Sequence, residues 1–169
     1  MPRATVRAAV AAYLDSQNIT YLSTVEPHPP KFTKEWEILD RGPAGDGVGA
    51  VIYLHLAEQL EHRVALGGAH GGDKMRVYTL AMICWLRAAL PDTRDVGAAN
   101  DEFLDSLTAA IQADRTANTD GDPIFQWGEG DTTDGVDIRV SAEMPRPLRQ
   151  QMSQVFSTVE VSVVEFINT

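Results

Sequence analysis

The residues best placed to do chemistry lie in Val64–Tyr78, VALGGAHGGDKMRVY, where four glycines flank His70 and Lys74 follows. A glycine-rich turn with a lysine could cradle phosphate. That chemistry needs a strand, the turn, and then a helix whose N-terminal amides face the anion. In the phosphate-loop pattern Gly-Lys is followed by Ser or Thr to bind magnesium. Here Gly72 leads to Asp73, Lys74 and Met75. The hydroxyl is missing, and the Asp73 carboxylate repels phosphate. The G-x-G-x-x-G dinucleotide spacing is absent as well. The stretch therefore reads as a hairpin tip, where glycine supplies positive φ cheaply.

Other constellations are no stronger. The histidines are His28, His55, His62 and His70, and no two stand four apart as a helical zinc site requires. His55 and His62 are candidates to face each other across a hairpin, which is more often an ordinary strand pair than a metal site. The acidic runs at 120–122 and 131–134 lack the twelve-residue calcium loop with its closing Glu. Ser16, Ser141 and Ser157 sit in no nucleophile elbow. The tryptophans Trp36, Trp85 and Trp127 read as core or interface. The expectation is no catalytic residue, no metal and no cofactor. A small hydrolase using His70 or His55, and a soluble binding module, are the readings this has to beat.

The elements that would position these residues follow from periodicity. Residues 4–15 form a helix, with Val6, Ala9, Val10, Tyr13 and Leu14 on one face. A short strand is expected at 19–23. Four of the nine prolines fall in 26–47, which reads as a surface loop or arm. VGAVIYLHLA (48–57) is a strand, with a hairpin turn expected near Glu58–Glu61. Residues 74–88 are apolar on both strand faces and also fit a helical stripe. Periodicity does not separate the two, but position favours a strand with GGAHGGD as its connector.

A second helix is expected over 97–114, with Phe103, Leu107, Ala110, Ile111 and Asp114 on its stripe and Asp101 and Glu102 near its N-terminus. IFQW (124–127) is a short strand and GEGDTTDG an acidic turn. In 136–143, Val136, Ile138, Val140 and Ala142 alternate as an inward face. Pro145 and Pro147 break that strand, and LRQQM is one helical turn. A long final strand over 155–168 carries Val155, Val159, Val161, Val163 and Ile167 on one side. The sum is an α+β fold: two main helices on one face of a mostly antiparallel sheet, with a long Pro-rich loop and an extended hairpin.

Composition is consistent with one domain over 1–169. Hydrophobic residues are 44% and charged residues 22%, a globular balance able to fill a core. No apolar run approaches the ~18 residues of a membrane span. The basic-then-apolar N-terminus is too short and too interrupted to read as a signal peptide. The lone Cys84 excludes an internal disulfide. A net charge of −10 argues against wrapping DNA but suits a passage through which DNA slides.

The whole pattern resembles the tail terminator family of long-tailed bacteriophages, which are neck proteins. The resemblance rests on the N-terminal helix, the Pro-rich stretch with KEW, VIYLHLAEQLEHRVALGG followed by KMRVYTLAMICWL, the helix FLDSLTAAIQADRTA, then IFQWGEG and the final strand. It spans nearly the whole chain as order and spacing, without a sharp signature. It implies a non-enzymatic virion protein, assembled in the host cytoplasm, that forms a hexameric ring on the tail tube. The ring stops tube growth and docks the head connector. Its partners would be copies of itself, the major tail tube protein and the connector or stopper, with DNA passing through unbound and no membrane involved. Another head–tail connector, a stopper or adaptor, is the near alternative. Within this reading the candidate contacts are Arg63, His70, Lys74 and Trp127. The candidate lumen-facing acids are Glu129, Asp131 and Asp134, with a merely solvated turn as the plain alternative.

Overall fold

The computed structural model describes residues 3–28, 47–63, 74–89, 93–113, 125–128, 136–147 and 153–167. It is an α+β fold in which, among the described residues, two helices cover one face of a seven-stranded, mostly antiparallel sheet. The first helix, α1 (Arg3–Ser16), buries Val6, Val10, Ala11, Tyr13 and Leu14, close to the expected stripe. The Ser16 hydroxyl donates to the Tyr13 carbonyl at 2.6 Å, and the Gln17 amide to that of Leu14 at 3.1 Å, so the last turn closes on itself.

The first strand, β1 (Leu22–Glu26), starts three residues later than its sequence suggests. Tyr21 has φ 62°, the left-handed region that a side chain rarely enters, and this turns the chain before the strand begins. The strain is held by three bonds. The Ala50 amide donates to the Tyr21 carbonyl at 2.8 Å, the Tyr21 hydroxyl to Glu102 at 2.9 Å, and the Thr20 amide to the Ser106 hydroxyl at 3.0 Å. Redirected in this way, β1 runs parallel to β2 (Val48–Arg63). Gly47, entering β2, has φ 82°, and a Cβ there would stand 3.2 Å from the Ala89 Cβ, so glycine is required.

β2 pairs along its whole length with β3 (Lys74–Ala88) in an antiparallel hairpin. This corrects the expected turn near Glu58–Glu61. The strand does not turn there but bulges between Leu56 and Glu58 and continues to Arg63. It also decides 74–88 as a strand. β3 lies between β2 and β7 (Ser153–Ile167), and near its C-terminal end it is buried on both faces, which is why its apolar pattern has no clear period. The connector GGAHGGD lies outside the described residues.

The second helix, α2 (Thr93–Ala113), begins four residues earlier than expected and takes Asp95, not Asp101 or Glu102, into its first turn. Val96, Ala99, Phe103, Leu104, Leu107 and Ile111 are buried on its sheet side. Gly97 lies within the helix, where a Cβ would meet Pro145 at 3.7 Å, an ordinary contact. Asp114 lies outside the described residues.

β7 is the organising strand. One edge pairs with β3 over fifteen residues. The other carries three short strands end to end: β4 (Gln126–Trp127), β5 (Ile138–Ala142) and β6 (Arg146–Pro147). Both prolines fall after β5, as read, but Pro147 rejoins the sheet in β6. Val155, Val159, Val161 and Val163 face the helices as expected. Ser157 stands in the same row, and its hydroxyl donates to Asn100 Oδ1 of α2 at 3.1 Å, satisfying a buried polar pair.

Candidate functional site

The bulge in β2 decides what the far half of the hairpin presents. Before it, Ile52, Leu54 and Leu56 point to the helices. One extra residue shifts the alternation, so beyond it the odd-numbered residues take that side. Glu61 is thereby set opposite Arg76, and Arg76 opposite Glu165 of β7, a row of three across three strands. Leu60 is turned to the other face, where it is 57% exposed. The bulge is held from α1, where the Arg3 guanidinium donates to the Leu56 carbonyl at 2.6 Å.

This row forms a charge network. Arg76 Nε donates to Glu61 Oε2 at 2.8 Å, and Lys74 Nζ lies 3.0 Å from Glu61 Oε1. Arg76 Nη1 lies 4.0 Å from the buried Glu165 carboxylate, which also accepts the Tyr78 hydroxyl at 3.0 Å. The Arg76 and Lys74 hydrogen bonds hold the Glu61 carboxyl below its ordinary value. Burial first, then the bond to Glu165, pushes the Tyr78 phenol up. The arrangement stiffens the hairpin with fixed charges. Glu61 is thus bound to both Lys74 and Arg76, and Arg76 in turn approaches Glu165.

Opposite the helices, Val51, Tyr53 and Trp85 are buried in a second small cluster. Trp85 stacks on Phe156 with centroids 5.7 Å apart and rings parallel within 1°, and its indole N–H donates to Gln154 at 3.1 Å. Ile83 on the same face is 41% exposed. A shallow groove of about 490 Å³ lies beside it, lined by Thr79, Asp137, Arg139, Glu160 and Ser162, with Arg139 3.6 Å from Glu160 inside it.

The candidate contacts separate. Arg63 and Lys74 stand opposite each other at the last backbone pair of the hairpin ladder. Trp127, expected as a contact, is a core residue. It is fully buried, edge-on to Phe125 at 5.0 Å and to Tyr13 at 5.9 Å. His70, Glu129, Asp131 and Asp134 lie outside the described residues, as do LRQQM and most of the 26–47 arm. His55 and His62 do not face each other. Both are on β2, seven residues apart and so roughly 20 Å distant, paired with Ala81 and Met75. Among the described residues no three His, Cys, Asp or Glu side chains are grouped to hold a metal ion. Cys84 is buried, and desolvation drives its thiol far up, leaving no thiolate to react.

The residues missed from sequence are Arg76, Glu165 and Tyr78, whose partnership depends on strand register, and, in the strand read over 136–143, the exposure of β5. β5 was expected to turn Val140 and Ala142 inward. Both are exposed, Val140 at 44%, and Arg139 and Ser141 on the other face are exposed as well. No helix of the described residues is long and apolar enough to cross a membrane. No family model matches the chain, and no curated protein is similar to it in sequence.

Proposed function

We propose that this chain is a structural protein of a phage neck, a tail terminator that joins copies of itself in a ring, a hexamer by the resemblance. On this reading it caps the tail tube, stops its growth and offers the docking face for the head connector. The observation that carries the reading is the architecture. The two-helix layer over one mostly antiparallel sheet is the α+β arrangement that the resemblance implies for the family's fold. A closed ring repeats one head-to-tail contact about an axis. Arg63 and Lys74, the last pair of the hairpin ladder among the described residues, are the contact residues favoured within it, and Leu60 is exposed on the other face of the same strand. The acidic balance suits a lumen that DNA crosses without adhering, and Glu129, Asp131 and Asp134 remain the proposed lining.

The test is a phage carrying a nonsense codon in this gene, with and without the protein supplied in trans, viewed by electron microscopy. Tails of uncontrolled length, restored to uniform length by complementation, are expected. Uniform tails that fail to join heads would reassign the protein to a stopper or adaptor role. Normal infectious particles without the protein would end the neck reading.

A further inference from the structure

Among the described strands longer than two residues, β5 is the least covered. Four of its five residues are exposed, and they include both faces. Among the described residues no strand pairs with its other edge, whose direction can be read from the ladder. The Glu143 amide donates to the Phe156 carbonyl at 2.8 Å, in the same register that pairs Ile138 with Val161 and Ala142 with Ser157. Alternation then aims the Arg139 and Ser141 backbone groups at β7, and those of Ile138, Val140 and Ala142 away from it. An edge of this kind recruits another strand unless something guards it.

The sequence of the edge selects its partner. Laid antiparallel on a second copy about a two-fold axis through Ser141, Val140 meets the copy's Ala142, and Ile138 meets its Met144. Arg139 meets Glu143. Each pair occurs twice. The outward-facing residues Val140 and Ala142 fall opposite each other as hydrogen-bonded pairs. Arg139 and Glu143 fall at the closer, non-hydrogen-bonded positions, where opposite charges gain most. Shifting the axis to Val140 would instead set Asp137 against Glu143, like against like. Met144, 83% exposed, and Val140 would both lose water contact in the favoured register. Arg139 is 84% exposed and Glu143 54%, so both are accessible, and Glu143 holds Arg146 through Oε2, leaving its other oxygen to accept.

We propose that β5 is a self-recognition edge, through which two copies of this chain pair antiparallel about Ser141 and join their sheets into one. The contact is isologous and does not rest on the ring reading, in which a different, head-to-tail surface repeats.

Sedimentation velocity over a concentration series tests it, with far-ultraviolet circular dichroism confirming the fold of each variant. Wild-type protein should show a monomer–dimer equilibrium. Val140→Pro removes an outward amide without touching the β7 ladder and should abolish the dimer. Arg139→Glu and Glu143→Arg should each weaken it at least tenfold, and the double variant Arg139→Glu/Glu143→Arg should restore it. The double variant keeps the same loss against Glu160 within the chain as Arg139→Glu alone, so recovery reports the contact between copies. A wild-type monomer throughout, or an oligomer that Val140→Pro leaves intact, would overturn the proposal.

Discussion

Replacing Trp127 by alanine separates a core role from a contact role. The indole is fully buried and meets two aromatic rings at their edges, Phe125 at 86° and Tyr13 at 63°. Tyr13 is itself tied to α2, its hydroxyl donating to the Ala110 carbonyl at 3.0 Å. Truncating a buried tryptophan costs about 3–5 kcal/mol through lost transfer energy and the cavity left behind. Edge-on aromatic pairs contribute ~1 kcal/mol each beyond area, which places Trp127→Ala toward the upper end. Against a total stability of about 5–15 kcal/mol, that loss leaves little margin.

Trp127→Phe should behave differently. The indole Nε1 is buried without a hydrogen-bond acceptor, a state that costs about 1–3 kcal/mol. Phenylalanine removes that penalty while losing ring volume, so the net change should stay within about 1.5 kcal/mol. Urea unfolding followed by circular dichroism gives both values. Trp127→Ala within ~1 kcal/mol of wild type would refute the core assignment. A loss in Trp127→Phe as large as that in Trp127→Ala would refute the argument from the unpaired N–H.

Tyr78→Phe removes a donor from the buried Glu165 carboxylate and should cost about 1–3 kcal/mol in urea unfolding; no change would mean that Arg76 alone suffices. Glu61 has a folded pKa below its ordinary value of 4.5, because Arg76 and Lys74 bond to its ionised form. Its stabilising contribution is therefore complete above that value and fades as pH falls through the lower folded value. Unfolding midpoints of wild type and Glu61→Gln should differ at pH 7, with the gap narrowing as pH falls below 4.5, and a constant gap would count against the linkage. Gly47→Ala forces a side chain into the left-handed region and against Ala89, so about 1–2 kcal/mol should be lost. An unchanged melting temperature would show that the turn relaxes freely.

Much of the architecture was legible in the chain itself. The stripes of α1 and α2 and the alternation of Val155, Val159, Val161 and Val163 each mark one apolar face, and such faces must be buried together. That is enough for two helices on one sheet. The misplaced start of β1 has a local cause that propensity does not report, since Tyr21 in the left-handed region is held by bonds to Glu102 and Ala50. The start of α2 was obscured by Gly97, a poor helix former in isolation that lies within the helix in the fold.

The candidate site depended on register and coverage, which are properties of pairs and layers. EQLEHR looks like a turn because its charges interrupt an apolar strand. It is a strand because Arg76 and Lys74 stand across from Glu61, and a single bulge turns that carboxylate toward them. Periodicity states which residues share a face and nothing about whether a layer covers it. Val136, Ile138, Val140 and Ala142 alternate as a buried strand would, yet Val136 is buried and Val140 exposed. Trp127 shows the converse: a tryptophan beside an acidic turn suggests a surface contact, and pairing with Val163 carries it into the core. Local sequence determines the faces because side-chain direction follows from backbone geometry within a few residues. Only the tertiary structure decides which faces meet, because that depends on partners distant in the chain.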